Sequence, residues 1–262
     1  YDTEIKQLHV TRKLNASQPI ELVSTFLGAH AVPPEYKGRS KAFLDFLLKE
    51  VMPVVKKENL AEFCDIFCEE GVFSVDESRQ YLKKAREMGF KLKIHADEIV
   101  SLGGSELAGE LKATSADHLL HASDAGIKAM AENGVVSTLL PTTAFCLREP
   151  FARAREMIDA GCAVALATDF NPGSGFTFSV PLMLGLAVIY MHMTAEEAIT
   201  ALTLNGAAAV GRADRIGSIE VGKQADLTIL QYPSYKFLPY HTGVNIVEKV
   251  IKKGELVHTA SV

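Results

Sequence analysis

No apolar run in this 262-residue chain is long enough to span a bilayer, so no membrane-crossing helix is expected. The opening stretch "YDTEIKQLHV" lacks the charged and apolar regions of a signal peptide, and the expected location is the cytoplasm. There is no long cluster of lysine or arginine, and 27 basic residues against 32 acidic ones leave a net charge of −5. That gives no electrostatic footprint for nucleic acid or an anionic membrane surface, so a small-molecule partner fits better. Cysteine is scarce: Cys64, Cys68, Cys146 and Cys162 sit in apolar runs at spacings that match no zinc ribbon. They are expected to be buried thiols in a reducing compartment, without disulfides. No strand opens a Gly-x-Gly-x-x-Gly turn, which weighs against a dinucleotide fold.

What the chain does have is a 48% hydrophobic composition, enough for one large domain, or one domain and a small appendage. Six short β-type runs alternate with helical segments: 20–30, 63–70, 90–97, 116–122, 134–141 and 162–170. Several are nearly continuous apolar runs, the pattern of parallel strands covered by helices on both faces. Ser74 with Glu77, and Thr194 with Glu197, form capping boxes, while Gly89, Gly134 and Gly161 close helices. An apolar helix is expected from about Val180 to Tyr190. Such β/α repeats imply a doubly wound sheet or a (β/α)₈ barrel. From about Asp214 the texture changes to short, Gly-punctuated strands, the mark of a separate small β-unit.

The third run, "KLKIHADE", carries a histidine, an aspartate and a glutamate within four residues. If the strand ends near Ala96, Glu98 lies on the following loop and can lean over the mouth where barrel enzymes collect catalytic groups. The placement recurs with His118 in "SADHLLHA" and with Asp169 in "LATDFNPGSG". Imidazole and carboxylate together suit a zinc or iron ion that keeps a position open for water. Each residue alone also fits ordinary packing. His121 is assigned to the helix-side loop, and no partners are assigned to His9, His192, His241 and His258. His30, before the Pro33-Pro34 turn, is either a substrate contact or a solvated loop histidine. The turn Asn171-Pro172-Gly173-Ser174 either offers N–H groups to an anionic substrate or is simply a tight turn.

The stretches "FLGAHAVPPEY", "KIHADE", "SADHLL", "ATDFNPGS", "MTAEEAITALTLNGAAAVG" and "PYHTGVN", in that order, resemble the amidohydrolase superfamily. The resemblance implies an α/β fold: an incomplete (β/α)₈ TIM-like barrel of about six β/α units, strands 3 to 8, over residues 1–213. Residues 214–262 would be the C-terminal part of a small β-sandwich. It also implies one divalent metal, zinc or iron, with His95 and Asp169 as ligands, and a homodimer. Glu98, His118 and Asp169 would be catalytic, and His30, Glu98, Asn171, Gly173 and Ser174 would contact substrate. The implied reaction opens the lactam ring of 4-imidazolone-5-propanoate to N-formimidoyl-L-glutamate in histidine degradation. The alternatives are a metal-dependent nucleobase-type deaminase, for which the His-x-x-Glu spacing also serves, and a non-catalytic fragment or binding module. The family's first-strand His-x-His pair is absent, and Tyr1 matches the tyrosine of a Ser-Gly-Tyr-Gly substrate loop over too short a length to carry a role. The expectation is an N-terminally truncated enzyme with little or no activity as an isolated chain.

Overall fold

The computed structural model describes residues 2–260; Tyr1 lies outside them. The chain has an α/β fold in two compact units, 1–135 and 136–262. In the first, β1 (Thr25–Ala29), β2 (Phe63–Cys68), β3 (Lys91–Ala96) and β4 (Ser115–His118) lie side by side in that order. The pairs β1–β2, β2–β3 and β3–β4 are all parallel. In the second, β5 (Val136–Leu139) pairs in parallel with β6 (Val164–Leu166). A separate antiparallel sheet follows, ordered β7 (Leu227–Leu230), β8 (Val247–Lys252) and β9 (Glu255–Thr259).

All six expected parallel strands therefore form, each shorter than its apolar run. The run at 116–122 begins one residue earlier and stops at His118, because Leu119 and the residues after it turn away. β5 and β6 are buried along their whole lengths, β5 with Ser137 and Thr138 among its four residues. The helices between strands start and stop where the capping residues put them. Ser74 and Glu77 close a reciprocal box at the head of the helix Val75–Glu87, and Thr194 and Glu197 do the same before Ala195–Leu202. Gly89, Gly134 and Gly161 sit at positive φ just past helix ends, where a side chain would be strained. The apolar helix Val180–Tyr190 has the expected bounds.

Sequence reasoning left the helix Asp2–Asn15 unassigned, along with a run of helical turns from Ser40 to Lys57. In the latter, a five-residue π-turn at Leu47–Val51 precedes Pro53, whose missing N–H interrupts the regular i→i−4 ladder. Cys64, Cys68 and Cys162 are buried and all four cysteines are free, but Cys146 is exposed, contrary to expectation. It falls near the C-terminus of the short helix Pro141–Leu147, whose buried residues are Pro141 to Ala144. Burial pushes the Cys64 thiol up to about 12 and the Cys68 thiol up to about 11, which keeps both protonated and inert. Among the described residues no helix is long and apolar enough to cross a membrane.

The helices Gly104–Glu110 and Asp124–Asn133 pack so closely that a Cβ on Gly109 would lie 2.7 Å from the backbone of Ala129. Gly109→Ala should therefore destabilise the chain by about 1–3 kcal/mol. Ser74→Ala, which removes only a cap, should cost about 1 kcal/mol. Equilibrium urea unfolding of the two variants measures both.

Candidate active site

β3 ends at Ala96, so the three polar residues of "HADE" do not share one environment. His95 is the last strand residue but one. Its backbone N–H donates to Asp65 Oδ1 over 3.2 Å, and its Nδ1 lies 3.0 Å from the same oxygen. Asp65 belongs to β2 and is almost completely buried, at 2% exposure. Burial alone would raise the Asp65 pKa, but the His95 ring, with Lys93 behind it, holds it below the usual carboxylate range. Burial would likewise lower the His95 pKa, and the Asp65 carboxylate, helped by Asp117 and Glu98, pushes it up to about 9.

Asp97 turns the other way. It is fully buried at φ 50°, and its two oxygens accept from the backbone N–H groups of Leu102, Gly103, Gly104 and Ser105 and from the Ser105 hydroxyl. It therefore builds the loop and the start of the next helix, and it does not share a face with His95 as a continuing strand would require. Glu98 lies on that loop, as expected. The buried Glu69, one residue past β2, fixes it there: one Glu69 carboxylate oxygen accepts from the N–H groups of Glu98 and Ile99, at 3.1 and 2.9 Å.

The Glu98 side chain reaches within 3.4 Å of His118 Nδ1, and His118 lies at the end of β4 with φ 74°. That nitrogen is buried and makes no hydrogen bond, because the Glu98 contact has a salt-bridge distance without hydrogen-bond geometry. Burial, then the neighbouring His95, push the His118 pKa down to about 3, so its ring is neutral at neutral pH. The His95 and His118 rings lie 5.1 Å apart. His30, just past β1, is exposed; its ring stacks on Phe67 at 5.1 Å and meets His95 edge-on at 5.0 Å. His30, His95, Glu98 and His118 are thus brought together in the first unit.

Asp169 is described within the second unit. It follows β6 at φ 49° and accepts a hydrogen bond from the Thr143 hydroxyl over 2.8 Å. The N–H groups of Gly173 and Ser174 already donate to Asn171 Oδ1, at 2.8 and 2.9 Å, and Asn171 Nδ2 donates to the Asp169 carbonyl and the Ser174 hydroxyl. The loop is a self-closed turn, so of the two readings the tight turn is realised and its amides are not offered outward. Two histidines without assigned partners also have them. His9 lies 3.4 Å from Glu58, and His241 packs among Tyr232, Phe237 and Tyr240.

Residue-by-residue reading missed Asp65, Glu69 in its holding role, and Asp117. The signal for Asp65 was on the page: "FCDIFC" carries a lone carboxylate in an otherwise apolar strand, the same anomaly that drew attention to His95. Asp65, His95 and Asp117 each offer a ligand atom, all within 4.8 Å of one another. A further buried cation completes the group: Lys93 Nζ donates to Ser115 Oγ at 2.7 Å, and that hydroxyl donates to Asp117 over 2.9 Å. Two carboxylates, Asp65 and Asp117, against one lysine, beside a His95 held by the first of them and a His118 ring 5.1 Å from it, offer the nitrogen and oxygen donors that fit a divalent metal.

The amidohydrolase family profile matches residues 56–257. The chain belongs to the amidohydrolase family. It is 67% identical over 261 residues to an imidazolonepropionase of Clostridium tetani, covering 100% of this chain and 62% of that protein. It is 63% identical over 254 residues to the imidazolonepropionase of Parabacteroides distasonis, covering 97% of this chain and 61% of that one. The chain thus spans a little over three-fifths of the length of these curated relatives. Among solved structures, a zinc-bound adenosine deaminase of Xanthomonas campestris superposes with TM-score 0.71 at 21% identity, over 95% of this chain and 63% of that one. A guanine deaminase of C. acetobutylicum with bound guanine gives TM-score 0.73 at 16% identity, over 98% and 69%. At such identities the likeness is one of fold.

Because Asp97 satisfies four backbone N–H groups at once, Asp97→Ala should cost about 3 kcal/mol or more, the penalty of leaving buried donors unpaired. Urea unfolding of the variant chain measures the loss.

Proposed function

We propose that the protein carrying this chain hydrolyses the lactam C–N bond of 4-imidazolone-5-propanoate, giving N-formimidoyl-L-glutamate. The observation that carries the reading is the 67% identity to an imidazolonepropionase along the whole chain. The site geometry supports it: a glutamate on a loop, within 3.4 Å of a neutral buried histidine, beside a histidine held by a carboxylate. Residues 1–213 are assigned to the partial barrel of this enzyme and 214–262 to the C-terminal part of its β-sandwich. The antiparallel β7–β8–β9 sheet supports the latter.

His95 and Asp169 would hold one divalent metal, zinc or iron, since nitrogen and oxygen donors suit both. Bound there, the metal would supply hydroxide at neutral pH by lowering the pKa of a water. Glu98 is the residue placed to move protons: it takes one from the attacking water and returns it to the ring nitrogen as the C–N bond breaks. Glu69 keeps the Glu98 backbone from drifting during that exchange. His118, neutral because burial and His95 hold its pKa near 3, offers one donor and one acceptor nitrogen and orients the water without adding positive charge. His30, backed by Phe67, presents a flat polar ring to the planar substrate. Asn171, Gly173 and Ser174 act by giving the loop after Asp169 its shape, since their amides are already used within the turn.

The full-length protein should turn over the imidazolone, lose activity on chelation and regain it with zinc or iron. Glu98→Gln should lower kcat by about 10²–10⁴-fold while metal content stays at the wild-type level. Deamination of a purine with no turnover of the imidazolone would replace this reading by the deaminase one. A metal-free full-length protein would point to a binding module.

A further inference from the structure

β2 places one buried carboxylate, Asp65, against β3. Asp65 stands two residues before Phe67, which is the register partner of His95, and both side chains approach the His95 ring. One oxygen of Asp65 takes two hydrogen bonds from one residue, the His95 backbone N–H and its ring Nδ1. Two contacts of this kind fix more than distance: with the main chain and Nδ1 anchored on one atom, the ring is restrained about both of its side-chain torsions. In the neutral ring, the form that can bind a metal, a carboxylate at 3.0 Å from Nδ1 places the proton on that nitrogen and leaves the lone pair on Nε2. Asp65 could be a simple core ion pair. Against that stands its setting: it is 2% exposed, and its hydrogen-bond partner is a histidine whose ring faces His30 and His118.

From this geometry we infer that Asp65 is the positioning residue of the site, orienting His95 and fixing its tautomer so that Nε2 is the metal-binding nitrogen. The inference rests on the proposed function for the identity of the site, but not on the substrate. Asp65 touches neither substrate nor metal in this role. It acts through the two hydrogen bonds it accepts from His95. A hydrogen bond from a ligand histidine to a buried carboxylate raises the basicity of the ring and removes its rotational freedom before metal arrives.

The test uses the full-length protein and zinc alone. Asp65→Ala should weaken zinc binding about 10–100-fold in a competitive chelator titration. Asp65→Asn, whose amide oxygen still accepts from both His95 groups, should recover most of that loss. A folded Asp65→Ala protein with wild-type zinc affinity would overturn the inference, as would an Asp65→Asn protein no better than the alanine variant. Nitrogen-15 chemical shifts of the histidine rings in the zinc-loaded wild-type protein decide the matter even if Asp65→Ala does not fold. Zinc on Nε2 of His95 with a protonated Nδ1 is the expected result, and zinc on Nδ1 overturns it. Neither readout involves turnover, so a wild-type protein inactive on the imidazolone counts against the proposed reaction and not against this role of Asp65.

Discussion

The site depends on buried carboxylates that are each matched by donors from the next strand or loop. A carboxylate withdrawn from water is tolerated only where hydrogen bonds and opposite charge replace its hydration. Asp65 meets that demand with His95 and Lys93, Glu69 with the amides of Glu70, Glu98 and Ile99, and Asp97 with four amides and a hydroxyl. Because His95 donates to Asp65 and the Glu98 amide donates to Glu69, satisfying those two carboxylates and placing His95 and Glu98 are the same event. Remove the carboxylates and the loop after β3 has nothing to hold it.

A second constraint is backbone strain at strand ends. Asp97, His118 and Asp169 all have φ between 49° and 74°, a region that side-chain-bearing residues rarely occupy. Each follows or closes a parallel strand, where the chain must leave the sheet sharply. Such conformations cost about 1–3 kcal/mol apiece and persist only where the surroundings enforce them. For Asp97 the enforcement is visible in its hydrogen bonds. For His118 the strained backbone turns the buried ring so that its Nδ1 faces Glu98 at 3.4 Å.

Much of this was legible in the residues. The six parallel strands, both capping boxes and the terminal glycines follow from local chemistry: apolar runs, a hydroxyl facing an amide, a residue without a Cβ where φ is positive. The end of β3 at Ala96 could be inferred because only then do a histidine and a glutamate three residues apart both reach one mouth. The role of Asp97 was not legible, since "HADE" reads the same whether its aspartate faces a site or caps a helix. Nor was the closed turn at Asn171, where the choice between outward and inward amides depends on one side-chain torsion. Cys146 looked buried because its neighbours are apolar, yet its short helix buries its first turn and leaves the last one in water.

By itself the sequence determined the β/α alternation and the ends of the capped helices, and it singled out His30, His95, Glu98, His118 and Asp169 as candidates, because capping boxes, terminal glycines and strand runs rest on interactions within a few positions along the chain. The tertiary structure alone decided which groups hold them. Asp65 and His95 are thirty positions apart, and Glu69 and Glu98 twenty-nine. Their pairing comes from the register of β2 against β3, which sets the distance between side chains that no local pattern records.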